Sequence, residues 1–132
     1  MKSVYSSSWK GSIQPRKQRK YRYNAPMHVR KKLVSVHLSK ELIKKHNKRN
    51  LPLIKGDKVK VMRGQFKNKI GIVEKVDKKN LRIYVEGIEM QKKDGSKVKY
   101  SIDPSNLLIT ELKLEDKKRL NIPEVKNGQK SS

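Results

Sequence analysis

Apolar and charged residues alternate along residues 54–85, and alternation with a period of two is typical of half-buried β-strands. The first run places Val59 and Val61 on one face and lysines on the other. A β-branched run follows over residues 70–76, and a turn at residues 77–80 leads to a third alternating run. The pattern predicts a small antiparallel β-meander. The side chains expected to face inward are Val59, Val61, Val73, Val76, Leu81, Ile83 and Val85.

Four glycines are expected to shape the turns of this meander and of the strands after it. Gly64 lies in the loop of residues 63–69, where a turn needs a positive φ. Gly71 lies inside a strand, where glycine marks a bulge or a close approach of two backbones. We assign structural turn or bulge roles to Gly56, Gly64, Gly71 and Gly95.

Further runs continue the β pattern downstream. Gly87 is expected to break the strand before residues 88–92, and Asp94-Gly95 is a two-residue hairpin signal ahead of residues 97–102. A turn at residues 103–106 precedes a closing strand over residues 107–112, which could pair with the first strand of the meander. Five or so short strands predict a mainly β chain folded as a small SH3-like barrel.

Helix signals lie on both sides of these strands. Pro26 can begin a helix over Met27–Leu33. Ser39 is a suitable N-cap for a second helix, Lys40–Lys48, with basic residues in its last turn as the helix dipole favours. A short C-terminal helix is predicted over Leu114–Leu120.

These patterns divide the chain into four parts. We expect residues 1–15 to be a disordered terminus, although Trp9 could instead stack on a base or anchor on a neighbouring group. Residues 16–53 are a basic N-terminal arm with short helices, residues 54–112 the barrel with a basic hairpin, and residues 113–132 a C-terminal helix and tail. On this division, deleting residues 1–49 should leave a folded barrel that binds RNA much more weakly.

Composition points to a polyanionic partner. The formal net charge is +23, from 35 Lys and Arg against 12 Asp and Glu. Most of the excess lies in residues 1–55, where Glu41 is the only acid. The lack of cysteine excludes disulfides and thiolate metal sites. No apolar run approaches the roughly 20 residues of a membrane span, and residues 1–13 lack the apolar region of an export signal, so we expect a cytoplasmic protein without a membrane partner.

No pattern in the chain predicts catalysis. Asp57, Asp77 and Asp94 stand where a turn would use a carboxylate to bond the backbone. The three histidines recur at a spacing of nine, which matches no zinc motif. We therefore expect no enzyme activity, no catalytic residue, no metal, no cofactor and no small-molecule substrate.

Clusters of cations remain, and they predict binding to nucleic acid. Five cations between Arg16 and Tyr23 alternate with tyrosines, and such a density needs nearby phosphates to be ordered. Interleaved tyrosines suit irregular RNA, whose exposed bases can stack on them. Arginine is scarce in the predicted barrel, which favours contacts to RNA backbone and shape over reading of base edges. The candidate RNA-binding residues are Arg16, Lys17, Arg19, Lys20, Tyr21, Arg22, Arg30, Lys31, Lys32, Arg63, Lys67, Lys69, Lys92, Lys93, Lys97 and Lys99.

The meander resembles the KOW motif of ribosomal proteins and transcription elongation factors. The match reads Gly56-Asp57-x-Val59-x-Val61-x-x-Gly64, then Lys67-x-Lys69-x-Gly71-x-Val73-x-x-Val76. The resemblance implies that Arg63, Lys67 and Lys69 form an RNA-facing loop. Asn68 stands where the motif often has glycine.

The flanking segments make the resemblance more specific. They are Pro15-Arg16-Lys17-Gln18-Arg19-Lys20, Asn24-Ala25-Pro26 and Leu38-Ser39-Lys40-Glu41-Leu42 upstream, and Pro104-Ser105-Asn106-Leu107-Leu108-Ile109 downstream. From Gln14 to Arg119 the chain resembles the archaeal and eukaryotic type of large-subunit ribosomal protein twenty-four.

This resemblance implies a structural constituent of the large ribosomal subunit that binds the 5′ domain of the large-subunit rRNA near the peptide exit tunnel and helps to initiate subunit assembly. The implied partners are this rRNA, neighbouring large-subunit proteins and factors that dock at the tunnel exit. Two alternatives remain open. A KOW-type transcription elongation factor normally has a separate α/β domain before the barrel, and the residues ahead of Ile54 are too few and too polar to form one. A general nucleic-acid-binding chromatin protein would need only the charge.

Overall fold

The computed structural model describes residues 5–113, which contain seven strands, three α-helices and one 3₁₀ turn. The predicted helix Leu114–Leu120 and the tail lie outside these residues. The elements in order are α1 (Pro15–Asn24), α2 (Met27–Leu33), β1 (Ser35–Leu38), α3 (Lys40–His46), β2 (Asn50–Pro52), β3 (Lys58–Val61), β4 (Ile70–Asp77), β5 (Arg82–Gln91), β6 (Lys97–Ile102), the 3₁₀ turn Pro104–Asn106, and β7 (Leu107–Glu111). The described residues are therefore mainly β, as predicted.

All seven strands belong to one sheet in the order β2-β1-β7-β3-β4-β5-β6. Strands β3, β4 and β5 pair antiparallel in sequence order, which confirms the meander. Strand β7 pairs antiparallel with β3, with Val59 opposite Ile109, so the closing strand does pair with the first strand of the meander. On its other side β7 pairs in parallel with β1.

The inward faces of these strands form one hydrophobic core. Of the side chains predicted to face inward, Val59, Val61, Val73, Ile83 and Val85 are buried, whereas Val76 and Leu81 are half-buried. The complete core consists of Val36, Leu38, Leu51, Leu53, Val59, Val61, Phe66, Val73, Ile83, Val85, Ile88, Ile102, Leu107 and Ile109.

Two strands lie within residues 16–53, the segment predicted to be a basic arm with short helices. Strand β1 pairs antiparallel with β2 and lies between β2 and β7. These strands bring Val36, Leu38 and Leu51 into the core. The strands were missed because β1 and β2 have only four and three residues, too few for a period-two pattern to stand out. The four-part division of the chain stays a prediction, but residues 34–53 are packed with the rest of the sheet.

Glycines act differently at two positions inside strands. A Cβ on residue 71 would lie 2.7 Å from both the carbonyl oxygen of Glu86 and Cγ1 of Val85, so β4 and β5 approach closely here. Gly87 was expected to break the strand, but β5 continues through it as a single strand. Gly87 has a φ of +81° and lies between Tyr84 and Glu89, where the pairing of β5 with β6 shifts register. The extra residues of β5 form a bulge there.

The hairpin between β5 and β6 has a loop one residue longer than the two-residue signal predicted. The amide of Lys92 donates to the carbonyl of Ser96 at 2.8 Å, and the amide of Gly95 donates to the carbonyl of Lys92 at 3.0 Å. Gly95 has a φ of +90°. A three-residue loop that ends in a left-handed glycine is a common solution for a hairpin.

Helices α2 and α3 begin where the sequence predicts them. Helix α2 has the predicted bounds, and α3 begins at Lys40 with the Ser39 hydroxyl accepting from the Leu42 amide. Helix α3 ends two residues earlier than predicted, because Asn47 adopts the left-handed conformation that terminates it. Helix α1 differs from the prediction, because its basic segment was expected to become ordered only beside phosphates. Pro15 stands in its first turn, where its missing N–H costs nothing.

Asp57 connects the start of β3 to the end of β7. Its carboxylate is fully buried and accepts hydrogen bonds from the amide of Ile54 at 3.2 Å and the amide of Lys113 at 2.9 Å. The turn role predicted for this residue is therefore correct, and the same carboxylate also holds a segment 56 residues further along the chain.

Candidate nucleic-acid interface

The candidate RNA-binding residues lie on four elements of the structure. Helix α1 carries Arg16, Lys17, Arg19, Lys20, Tyr21 and Arg22, and α2 carries Arg30, Lys31 and Lys32. Arg63, Lys67 and Lys69 lie in the loop between β3 and β4, and Lys92, Lys93, Lys97 and Lys99 lie in the β5–β6 hairpin. All of them are exposed except Tyr21 and Arg30, which are half-buried.

One side of α1 is covered by aromatic residues of the preceding segment. The rings of Trp9 and Tyr21 stack with centroids 4.1 Å apart and 13° between their planes, and the ring of Tyr5 lies 5.6 Å from that of Tyr21. The side-chain amide of Gln18 also donates to the carbonyl of Ser12 at 2.7 Å. Trp9 is thus anchored on a neighbouring group, and Tyr21 is engaged within the protein. Disorder over residues 1–15 as a whole stays a prediction.

The opposite side of α1 faces the sheet across a cleft of about 520 Å³, which we call the α1 cleft. Arg19, Arg22 and Tyr23 line it from the helix, and Lys79 and Arg82 line it from the turn and start of β5. The other lining residues are Leu33, Ser35, Asn80, Leu81, Asp103, Pro104 and Ser105. The cleft is therefore strongly positive, with one carboxylate among its lining residues.

That carboxylate, on Asp103, is held in place by the 3₁₀ turn. One of its oxygens, Oδ1, accepts from the amide of Ser105 at 3.0 Å and from the Ser105 hydroxyl at 2.7 Å. The other, Oδ2, lies 4.0 Å from a guanidinium nitrogen of Arg82. Partial burial by itself would raise the pKa of Asp103, but the Ser105 bonds and the charges of Arg82 and Arg22 together hold this pKa below its ordinary value. Asp103 is accordingly ionised at neutral pH.

The loop between β3 and β4 is organised by Phe66. Its ring is buried against the core and lies 5.1 Å from the ring of Tyr100, while the ammonium of Lys69 lies 4.9 Å from its centroid. Gly64 and Asn68 have φ values of +95° and +71°. Asn68 thus adopts the left-handed conformation at the position where the KOW motif often has glycine, and asparagine tolerates that conformation better than most residues. The loop is therefore anchored to the core by the packing of Phe66.

A small cavity of about 110 Å³ lies beside this loop, and we call it the loop cavity. Arg63, Gln65 and Phe66 line it from the loop, and Tyr100 lines it from β6. The remaining lining residues are Val61, Gly64, Arg82, Ser101, Ile102, Asp103 and Asn106.

The four hairpin lysines are not equivalent. Lys92 and Lys93 lie at the tip, and Lys97 opposes Gln91 across the strands. Lys99 instead forms an ion pair with Glu74 of β4, so its charge is partly neutralised by the protein.

A third basic cleft, of about 670 Å³, lies between α2 and β2. His28, Lys31 and Lys32 line it from the helix, together with Lys48 and Arg49. Arg30 does not line this cleft. Its guanidinium donates to the carbonyl of Tyr23 at the end of α1, so it joins the two helices.

Sequence reasoning missed four cations that the fold adds to these clefts, namely Lys48, Arg49, Lys79 and Arg82. Each stands alone or in a pair in the sequence, outside the dense basic runs. The one available signal was the alternation of the third run, in which Arg82 lies between the inward-facing Leu81 and Ile83 and therefore faces outward. Its proximity to α1 depends on contacts between residues some 60 positions apart and leaves no local trace.

The turn carboxylates behave as predicted. Asp77 accepts from the amides of Lys79 and Asn80 and from the Asn80 side chain, and Asp94 accepts from the amide and hydroxyl of Ser96. Within residues 5–113 no cluster of three or more His, Asp or Glu could hold a metal ion. Within the same residues no helix is long and apolar enough to cross a membrane.

Comparison with known proteins identifies the family. The family model that describes the eukaryotic ribosomal proteins L26 and their archaeal counterparts matches residues 12–126. The chain belongs to this family. It is 51% identical over 108 residues to the "Large ribosomal subunit protein uL24" of Methanosphaera stadtmanae, a match that covers 82% of this chain and 92% of that protein. It is also 51% identical over 108 residues to the uL24 protein of Methanospirillum hungatei, covering 82% of this chain and 90% of the relative.

Membership of the uL24 family confirms the resemblance stated from the sequence. A protein of this family is a large-subunit ribosomal protein that acts in the cytoplasm, within the ribosome. The expectation that the chain is not an enzyme is confirmed as well, because its relatives are ribosomal proteins.

Proposed function

We propose that this chain binds large-subunit rRNA with the cations of α1, α2, the β3–β4 loop and the β5–β6 hairpin, as a structural constituent of the subunit. The observation that carries the proposal is the charge of the two larger clefts, which are lined by Arg19, Arg22, Lys79 and Arg82 in one case and by Lys31, Lys32, Lys48 and Arg49 in the other. Clefts lined by one sign of charge concentrate counterions of the other sign, and a folded RNA supplies phosphates to both.

The fold supports recognition of backbone and shape in the β3–β4 loop and the hairpin. Their candidate residues are mostly lysines, which act as point charges toward phosphates. We infer that the meander is a KOW element in an SH3-like barrel, on the strength of the β3–β4–β5 pairing and the packed β3–β4 loop. Loops held by a rigid sheet commonly carry recognition.

We further propose that the target is the 5′ domain of the large-subunit rRNA near the peptide exit tunnel, and that binding there helps to initiate subunit assembly. Neighbouring large-subunit proteins and factors that dock at the tunnel exit are the proposed protein partners. This part of the proposal is supported by the family to which the chain belongs.

The test compares the affinity of the full chain for three probes at one salt concentration. They are a transcript of the 5′ domain, a transcript of another rRNA domain of similar length, and duplex DNA. We expect the chain to prefer the transcript of the 5′ domain. The logarithm of this affinity should fall by about 0.7 to 0.9 per phosphate contact for each tenfold increase in salt concentration. Equal affinity for all three would favour a general nucleic-acid-binding protein instead.

A second measurement follows the chain in a sucrose gradient of cell lysate at high salt. The chain is expected to remain stoichiometric with the large subunit. Its release to the top of the gradient would contradict a permanent structural role.

A further inference from the structure

The α1 cleft and the loop cavity share two lining residues, Arg82 and Asp103. The α1 cleft also holds Arg19 and Arg22, and the loop cavity also holds Arg63. Helix α1 and the β3–β4 loop, which are far apart in the sequence, therefore meet on either side of one arginine–aspartate pair.

Arginine, and not lysine, supplies most of the charge at this junction. Lys79 is the only lysine among the described residues that line the two cavities. The guanidinium group has a planar fork of donors that fits two oxygens of one phosphate, whereas an ammonium provides a compact point charge. Although arginine is scarce in the sheet, the fold places Arg63 and Arg82 in the same cavity.

Asp103 is the only acid among the same lining residues. Its carboxylate is fixed by Ser105 through one oxygen, which directs the other oxygen toward Arg82. The side chains of Arg82 and Asp103 remain 49% and 50% exposed, so the guanidinium keeps donors accessible to a ligand. Such an exposed pair contributes little to stability, and orientation of the arginine is the better account of it.

We propose that Arg19, Arg22, Arg63 and Arg82 bind successive phosphodiester groups of one RNA strand that passes from the α1 cleft to the loop cavity, and that Asp103 positions Arg82 for this contact. The proposal rests on the rRNA binding proposed above and identifies where one strand is held. It adds Asp103 to the interface and assigns Arg82 to the same RNA strand as Arg19, Arg22 and Arg63.

The first test replaces Arg82 in the full chain and measures affinity for the 5′-domain transcript. Arg82→Gln should weaken binding by roughly tenfold and should lower the salt slope by about 0.7 to 0.9. Arg82→Lys should restore the salt slope but only part of the affinity, because it restores the charge without the fork. Lys44→Gln removes one exposed charge from α3, outside both cavities, and serves as the matched control.

The second test replaces Asp103 by asparagine and measures RNA affinity. Two accounts of Asp103 predict changes of opposite sign in this affinity. Asparagine can still accept the Ser105 bonds and cap the 3₁₀ turn. If Asp103 only places a negative charge near the RNA, Asp103→Asn should tighten binding. If it positions Arg82, Asp103→Asn should weaken binding several-fold, and the weakening should be absent in the Arg82→Gln background.

The outcomes separate this proposal from the function on which it rests. If the unaltered chain shows no preference for the 5′-domain transcript, the proposed function fails. If the preference is present but Arg82→Gln behaves like Lys44→Gln, or Asp103→Asn tightens binding, the present proposal is overturned alone. Thermal unfolding of each variant should match that of the unaltered chain. A further control replaces chloride by inorganic phosphate at constant ionic strength, which should not displace the RNA. Displacement would indicate a site for free phosphate and would overturn the proposal of a strand-binding site.

Discussion

The backbone carbonyl of Glu86 lies only 2.7 Å from the position that a Cβ would take at Gly71. The crowding group is the backbone of the paired strand and cannot move aside like the end of a flexible side chain. Gly71→Ala should therefore destabilise the protein by about 1 to 3 kcal/mol, the usual cost of overpacking, as measured by urea unfolding. Gly11→Ala is the control, since no described atom lies within 4 Å of its added Cβ. Equal stability of the two variants would contradict the close approach.

Removal of the buried carboxylate of Asp57 should be costly. Asp57→Ala would deprive the amides of Ile54 and Lys113 of this acceptor, and a hydrogen bond to a charged group contributes about 1.5 to 3 kcal/mol. We expect a loss of about 2 to 4 kcal/mol in the free energy of unfolding, measured by denaturant titration. Asp94→Ala, which removes an exposed carboxylate bonded to Ser96, should lose far less. A similar loss in both variants would contradict a special role for Asp57.

Trp9 is expected to stabilise α1 locally. The helix is short, its cations repel one another and none of its residues is buried, so it is marginal without packing. An aromatic pair contributes about 0.5 to 1.5 kcal/mol, so Trp9→Ala should lower the protection of the α1 amides against hydrogen exchange several-fold. The amides of the sheet should be unaffected. Ile13→Ala is the control, because Ile13 is 96% exposed, and a similar effect there would show that the Trp9–Tyr21 stack is not the cause.

The turn after β4 should show a measurable titration effect. The hydrogen bond from the side chain of Asn80 lowers the pKa of Asp77 most, and the hydrogen bond from the backbone amide of Asn80 is the next largest cause. Asn80→Ala should therefore raise this pKa toward the ordinary aspartate value, as followed by carboxyl carbon NMR. Because the pKa of Asp77 is lower in the folded state, its ionised form stabilises the protein at pH values above about 3.9, the pKa of an unfolded aspartate. This stabilisation is lost as the pH falls through the pKa of the folded state. Lys79→Ala keeps the side-chain bond and should leave most of the shift in place.

Truncation should distinguish the part of the N-terminal region that is needed for folding. Deletion of residues 1–24 removes no buried residue among those that the structure describes, and we expect a cooperative unfolding transition to remain. Deletion of residues 1–49 removes Val34, Val36 and Leu38 and leaves β2 without its neighbour in the sheet. Loss of one large core side chain costs about 2 to 5 kcal/mol, against a total stability of about 5 to 15 kcal/mol. The longer deletion should therefore unfold or aggregate, and a dispersed NMR spectrum from it would restore the earlier expectation of an independent barrel.

Several elements could be predicted because their signals are local. Helix α2 has the predicted bounds after Pro26, and α3 begins where Ser39 caps it. The meander followed from alternation over residues 54–85, and the turn carboxylates followed from their positions beside glycine, lysine and asparagine.

Other elements could not be predicted because their partners are remote. Strand β1 is stabilised by a parallel partner, β7, some 70 residues later, and no pattern within its four residues indicates that pairing. Helix α1 was obscured by its own charge, since the contact that supports it is the stacking of Trp9 on Tyr21.

The residues of this chain are enough to establish a basic, mainly β member of a ribosomal protein family, because charge, strand periodicity and motif spacing are properties of the local sequence. Which cations act together was decided only by the tertiary structure. Arg19, Arg22, Arg63 and Arg82 are scattered over more than 60 positions. They line two cavities that share Arg82 and Asp103, because α1 lies against the end of the sheet where β5 begins and the 3₁₀ turn lies. The packing of distant elements has no signature in a single stretch of sequence, and the arrangement of the interface depends on it.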